Sequence, residues 1–294
     1  MLTDAVLLVG LGAFSVVAIA CPLAVPTWPR VMAGNTGVAV LFVAATALAR
    51  RKQAGVGRFL LRTGAVCGVL AYLFGAVAPL QLVLRGRFLD AELMAFEKRV
   101  LALEPVSWLE RFHTPGLTEW LMFCYLGYLA LYPLVCGRLW VKHGELALEE
   151  CLLPLAVVNV ACDVGFVLFP VAGPTFFAPE RFPEPLVGGP FTVLAEFVRS
   201  DLHFPGGSLP SPHCAAATVL WLMAWRYERT LARWLAPVVL SLYVATVYGR
   251  FHYLSDSLAG IVLAVLVVIA LRRRHEVSAP GGERAARDHL TLGS

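Results

Sequence analysis

Two short polar knots in this 294-residue chain carry side chains suited to phosphate chemistry: Pro210-Ser211-Pro212-His213, and the run from Arg250 to Asp256, RFHYLSD. His252 and Asp256 are four residues apart, a spacing that puts both on one face at a helix start. A carboxylate beside an imidazole fixes its tautomer and favours its cation, leaving the other nitrogen free as nucleophile or base. His213 falls near the start of another helix, just after Ser211. Free backbone N–H groups and the positive end of the helix dipole suit a phosphate there. Arg250, two residues before His252, adds a fork that matches phosphate oxygens. Either knot alone is weak, because interfacial histidines and His-Asp pairs are common helix-end features. Two knots on one face of a membrane reverse those odds.

The intervening chain must bring them together. Residues 213–227 and 234–249 are apolar runs near the length of a membrane crossing, roughly 15–20 residues at 1.5 Å rise each. One crosses and the next returns, so His213 and His252 meet on the same side. The whole composition agrees: 59% of residues are hydrophobic and 15% charged, with a mean hydropathy of +0.72. A soluble domain carries about 25% charge, so an integral membrane protein is implied. The net charge of +4 gathers in loops and reads as topology information, not as a nucleic-acid patch. Seven cysteines, none in a C-x-x-C pair, argue against a disulfide framework or a zinc site.

The expected fold class is all-α, a polytopic membrane bundle of about eight helices near 5–25, 31–49, 63–84, 119–137, 151–170, 213–227, 234–249 and 254–271. The start, MLTDAV, lacks a basic segment, so the first run is expected to be retained. Basic residues cluster at 50–62, 138–142, 226–233 and 272–274, all on one side of an eight-helix path. That side is expected to be cytoplasmic, with both termini inside and the two knots on the extracytoplasmic side. Residues 276–294 are polar and small and read as a disordered cytoplasmic tail. Between 85 and 118, Phe88, Leu93, Phe96 and Leu101 could share an apolar stripe. Either an interfacial helix or one packed on the bundle fits that pattern. Residues 171–209 are rich in Pro, Gly and Phe, which excludes a long helix in their first half and suggests a roof over His213.

The stretches FPGGSLPSPHCAA (Phe204 to Ala216) and TVYGRFHYLSDSLAG (Thr246 to Gly260) resemble the phosphatidic acid phosphatase type 2 superfamily. They are especially similar to its branch of inositol phosphorylceramide synthases and sphingomyelin-synthase-like enzymes. The resemblance implies a six-helix phosphatase-like core and a division into residues 1–62 (two N-terminal crossings and a basic loop), 63–275 (the membrane enzyme domain) and the 276–294 tail. It implies His252 as the attacking histidine of a phosphohistidine route, Asp256 as its orienting carboxylate and His213 as proton donor to the leaving oxygen. Ser211 would contact phosphate, and neither metal nor cofactor is implied.

Departures from the family pattern are specific. Pro212 stands where Gly or an aliphatic residue is usual, Thr246 where an arginine is usual, and the Lys-x6-Arg-Pro phosphate motif is absent. Arg250 and Arg181 are the candidate replacements for the phosphate cradle. Asn159, Asp163 and His203 are possible head-group residues; for Asp163, protonation or pairing within the bundle is the competing reading. The expected partners are the bilayer, a lipid phosphate or phospholipid, and water or an alcohol such as inositol as acceptor. A catalytically degenerate lipid-binding or scaffolding protein is the alternative.

Overall fold

A computed structural model describes residues 1–202 and 204–278. Every regular element among them is helical, and the order follows from the apolar runs. Helices α1 (Leu2–Ala20), α2 (Trp28–Arg51) and α3 (Val56–Ala76) form an N-terminal group. Two short helices follow, α4 (Asp90–Leu101) and α5 (Pro105–Leu109), before the 54-residue α6 (Pro115–Leu168). After α7 (Pro174–Phe177) and α8 (Pro190–Phe197) the chain enters α9 (Pro212–Tyr227), α10 (Arg229–Tyr248) and α11 (Leu254–Ser278).

Six of these helices are long and apolar enough to cross a membrane. A continuous α6 would span about 80 Å against a hydrocarbon core of about 30 Å. It does not run straight, because Gly144 takes φ 80° and ψ −169° and breaks it into two arms. The 16-residue α9 is shorter than a usual crossing. With α6 as two arms and α9 added, the eight expected apolar runs are all found as helix.

Packing explains the centre. Helix α9 lies against α6, α10 and α11. Its run Cys214, Ala215, Ala216 and Ala217 is wholly buried, since small side chains let membrane helices approach closely. Helices α1 and α3 pack on α6 and close the other side of the core. Large apolar residues such as Leu23 (97% exposed), Leu41 and Trp234 face outward, as lipid contact requires.

The basic clusters gather at one end. Arg62 donates to both Asp4 and Glu149 at 2.6 and 2.5 Å, and Arg50 also reaches Asp4. Arg58 pairs with Glu145, Arg226 with Glu150 and Arg138 with Glu228. These contacts join the chain start, the α2–α3 turn, the α6 break and the α9–α10 turn.

The expected stripe on α4 is not the one found. Phe96, Val100 and Leu101 face out, while Leu93 is half-buried and Asp90 and Glu97 point inward and are buried. The carboxylates turn inward because they find backbone N–H donors there. The expected tail lies, from residue 279 onward, outside the described residues, as does His203.

Candidate active site

Helix α9 begins where it does because Ser211 is its N-cap, accepting from Cys214 N–H, and Pro212 occupies the first turn. Proline at that position loses no helical hydrogen bond, since its N–H would have no intrahelical partner. Five residues separate the end of α10 from the start of α11, in a turn where Arg250 adopts φ 63°. The N–H groups of Phe251 and His252 both donate to the Thr246 carbonyl, which folds this turn back on α10. Thr246 itself is buried, with its hydroxyl 2.8 Å from Ser257 Oγ. The two helix starts are tied directly, because Ser211 N–H donates to the Asp256 carbonyl at 2.9 Å.

This join brings the imidazoles together edge to face, with ring centroids 5.5 Å apart and planes at 64°. His252 Nε2 lies 3.3 Å from His213 Nδ1, and His213 Nε2 lies 3.2 Å from the Tyr125 hydroxyl. On the far side, His252 Nδ1 is 3.0 Å from Ser208 Oγ, which donates to Asp256 Oδ2 at 2.6 Å. One direction of protons satisfies every member when both rings are neutral. Tyr125 donates to His213, His213 Nδ1–H to His252 Nε2, His252 Nδ1–H to Ser208, and Ser208 to Asp256. The tautomers follow from that network of donors and acceptors. Tyr125 is stacked between His213 and Phe251, at centroid distances of 4.9 and 4.0 Å.

One family model covers this region: that of the PAP2 superfamily matches residues 91–270, more than half of the chain. The chain belongs to the PAP2 superfamily. No curated protein and no solved structure matches it. PAP2 membership supports a lipid enzyme of the phosphatase or phosphotransferase type. The match leaves α1 to α3 outside it.

Other expected residues of this PAP2 chain stand in varied places. Arg250 is buried, its fork bidentate on Glu110 at 2.7 and 2.8 Å, with a further bond to the Glu184 carbonyl. Its guanidinium also lies over the Phe182 ring. Arg181 is exposed and paired with Glu104 at 2.9 Å. Asn159 donates to the Leu155 carbonyl and lines the same cavity as His213. Asp163 is buried one turn further along α6.

Sequence reasoning missed the residues that hold this PAP2 site in shape. Asp90 accepts from the N–H groups of Ala172 and Gly173 and from the Tyr253 hydroxyl, at 2.8 to 3.0 Å. Burial outweighs those donors and pushes its carboxyl up from 3.8 to about 6. Glu97 accepts from Ser255 N–H at 2.6 Å, so α4 caps the start of α11 from outside, where the dipole favours a carboxylate. Burial raises Glu97 as well. Their spacing of seven, two helical turns, was the available signal.

Proposed function

We propose that this protein is a membrane lipid phosphotransferase or lipid phosphate phosphatase that works through a phosphohistidine on His252. The observation that carries this reading is the pair of imidazoles 3.3 Å apart, each with a hydrogen-bond partner on its far nitrogen. His252 Nε2 attacks phosphorus, an N–P bond forms and the P–O bond to the leaving group breaks. His213, entering as the imidazolium, gives its proton to the leaving oxygen. Water or an alcohol then attacks phosphorus, loses its proton to His213, and the N–P bond breaks. Ser211 and the first N–H groups of α9 are the candidate phosphate contacts. The fork of Arg250 is engaged with Glu110, so we assign it to shaping the turn that carries His252, with phosphate contact requiring release from Glu110.

A lipid substrate is supported by a cavity of about 560 Å³ that starts at His213. It runs between α3 and α6, past Phe74, Tyr128, Cys67 and Tyr132, to Phe59. The fifteen helical steps of α3 from Phe74 to Phe59 cover about 22 Å at helical rise. Mostly apolar walls fit the hydrocarbon of a molecule whose phosphate displaces the direct contact between His252 Nε2 and His213 Nδ1. The basic clusters at the opposite end of the bundle support a cytoplasmic placement of that end and of both termini. The site then faces the extracytoplasmic interface. Similarity of the two motifs to inositol phosphorylceramide synthases favours an alcohol acceptor such as inositol over water.

Trapping tests this reading. Wild type incubated with labelled lipid phosphate and quenched in alkaline detergent should carry label that His252→Ala lacks. A chase with inositol or with buffer alone then separates transfer from hydrolysis. Lipid binding with no covalent label in wild type would overturn the proposal and favour the degenerate scaffold.

A further inference from the structure

We propose that Ser208 is a positioning residue of this site, carrying the contact between Asp256 and His252 through its hydroxyl. The inference rests on the reading of His252 as the attacking histidine. His252 Nδ1 and Asp256 Oδ2 are 3.6 Å apart, too far for a hydrogen bond. Ser208 Oγ fills the gap, 3.0 Å from the nitrogen and 2.6 Å from the carboxylate oxygen. All three residues are buried, so water does not substitute freely for the hydroxyl. Asp256 Oδ2 also accepts from Tyr253 N–H at 3.0 Å, and its Oδ1 has no partner among the described residues.

The direction of the bonds gives the role. An ionised carboxylate only accepts, so Ser208 must donate to Asp256, and its free lone pair must accept from His252 Nδ1–H. That holds His252 in the tautomer whose unprotonated Nε2 faces His213 and the incoming phosphorus. When Nε2 takes the phosphoryl group the ring becomes cationic. Its Nδ1–H then remains linked through Ser208 to a negative charge.

The loop is built to aim this hydroxyl. Gly207 N–H donates to Gln81 Oε1 at 2.7 Å, and Gly206 N–H donates to the Ala172 carbonyl at 3.1 Å. Gly206 and Gly207 have φ of 115° and 67°, and a Cβ on Gly206 would meet Gln81 at 2.0 Å. Only glycine takes both the conformation and the approach. Gln81 lies outside residues 91–270, so a residue beyond the family match holds the loop that carries Ser208.

Purified full-length Ser208→Ala, Ser208→Thr, Asp256→Asn and the double variant Ser208→Ala/Asp256→Asn separate the possibilities. With a labelled lipid phosphate as substrate, Ser208→Ala should lose about 10- to 100-fold in kcat, by analogy with partners that orient a metal-bound imidazole from behind, with KM changed less than threefold. Ser208→Thr should recover most of that loss. The double variant should be no slower than Asp256→Asn alone, because both substitutions break one relay. Nitrogen NMR of labelled imidazoles should report the Nδ1–H tautomer of His252 in wild type and a mixture in Ser208→Ala. An unchanged kcat in Ser208→Ala, or losses that multiply in the double variant, would overturn the assignment. If Ser208→Ala does not fold, Ser208→Cys carries the same comparison. If wild type forms no phosphoenzyme, the functional reading fails, while the tautomer measurement still decides the role of Ser208.

Discussion

Gly260 is the residue on which the spacing of the two histidines depends most directly. It lies one turn beyond Asp256 on α11 and faces the first turn of α9. A Cβ there would stand 2.3 Å from the Ser211 carbonyl oxygen and 3.2 Å from Ala215 N. Both atoms are backbone, so neither can rotate away. Ordinary contact begins near 3.4 Å, and Gly260→Ala therefore forces the helix starts apart by about 1 Å. His213 is two residues from Ser211, and the 3.3 Å between the imidazoles must widen or skew by a similar amount. A misplacement of about 1 Å costs on the order of 10²-fold in rate. Overpacking of this kind costs roughly 1–3 kcal/mol in stability. The assay is phosphate release from a labelled lipid phosphate in detergent micelles, read beside a thermal melt. Gly68→Ala is the control, because a Cβ at Gly68 meets nothing within 4 Å. It should leave the rate unchanged and match or slightly raise the melting temperature, as alanine does in helices. A Gly260→Ala rate within threefold of wild type, with an unchanged melt, would refute the claim that this close approach sets the geometry.

Three further outcomes are expected. His213→Ala removes the proposed proton donor, so the loss should approach 10²- to 10⁴-fold for a lipid alkoxide and be far smaller for a nitrophenolate leaving group; equal losses for both would remove His213 from that role. Asp90 keeps its proton up to about pH 6 when folded but releases it near 3.8 when unfolded, so its contribution to stability falls as pH rises from about 4 to 6, by about 3 kcal/mol. Asp90→Asn lacks this titration, and its melting temperature should gain on wild type by on the order of 5 °C between pH 4.5 and 7; parallel melting curves would show that Asp90 is not a buried titrating group. In intact cells an impermeant thiol reagent should label Glu180→Cys but not Lys52→Cys, both exposed positions; the reverse pattern would invert the proposed topology.

Much of this architecture was legible because membrane helices advertise themselves by length and hydropathy. The runs at 213–227 and 234–249 required a hairpin, and a hairpin required His213 and His252 at one end. Spacing of four put Asp256 behind His252 but left open what lies between them. That part was not legible: Ser208 reaches the pair only because Gln81, 126 residues from Gly207 in sequence, holds the preceding loop. Arg250 shows the same limit. Its fork suits phosphate, yet Glu110, 140 residues away, occupies it. No local pattern reports which of two suitable anions stands nearer.

The α4 helix was misread for a different physical reason. In water an apolar stripe marks the buried face, and the charged residues mark the outside. In a bilayer the sense is inverted wherever the buried charges find partners, because lipid offers none and the protein interior does. Here Asp90, Glu97, Arg62, Arg250 and Asp256 are all buried, while Leu23, Leu41 and Trp234 are outside. Buried charge alone, however, does not mark a functional site. Arg62 is held by Asp4 and Glu149 at the end of the bundle remote from the histidines, where each charge answers another and the set ties α1 and α3 to α6. Asp90 and Glu97 answer backbone N–H groups of the loop before α7 and of the α11 start, and Asp90 the Tyr253 hydroxyl as well, so their charge is spent on holding a turn. Asp256 also accepts from the Tyr253 N–H; what distinguishes it is the Ser208 hydroxyl, which leads on to the His252 imidazole. Both can change protonation or donor direction during a reaction, whereas a backbone amide or a guanidinium cannot. The chemistry of the partner, more than the burial of the charge, separates the candidate site from the framework that carries it.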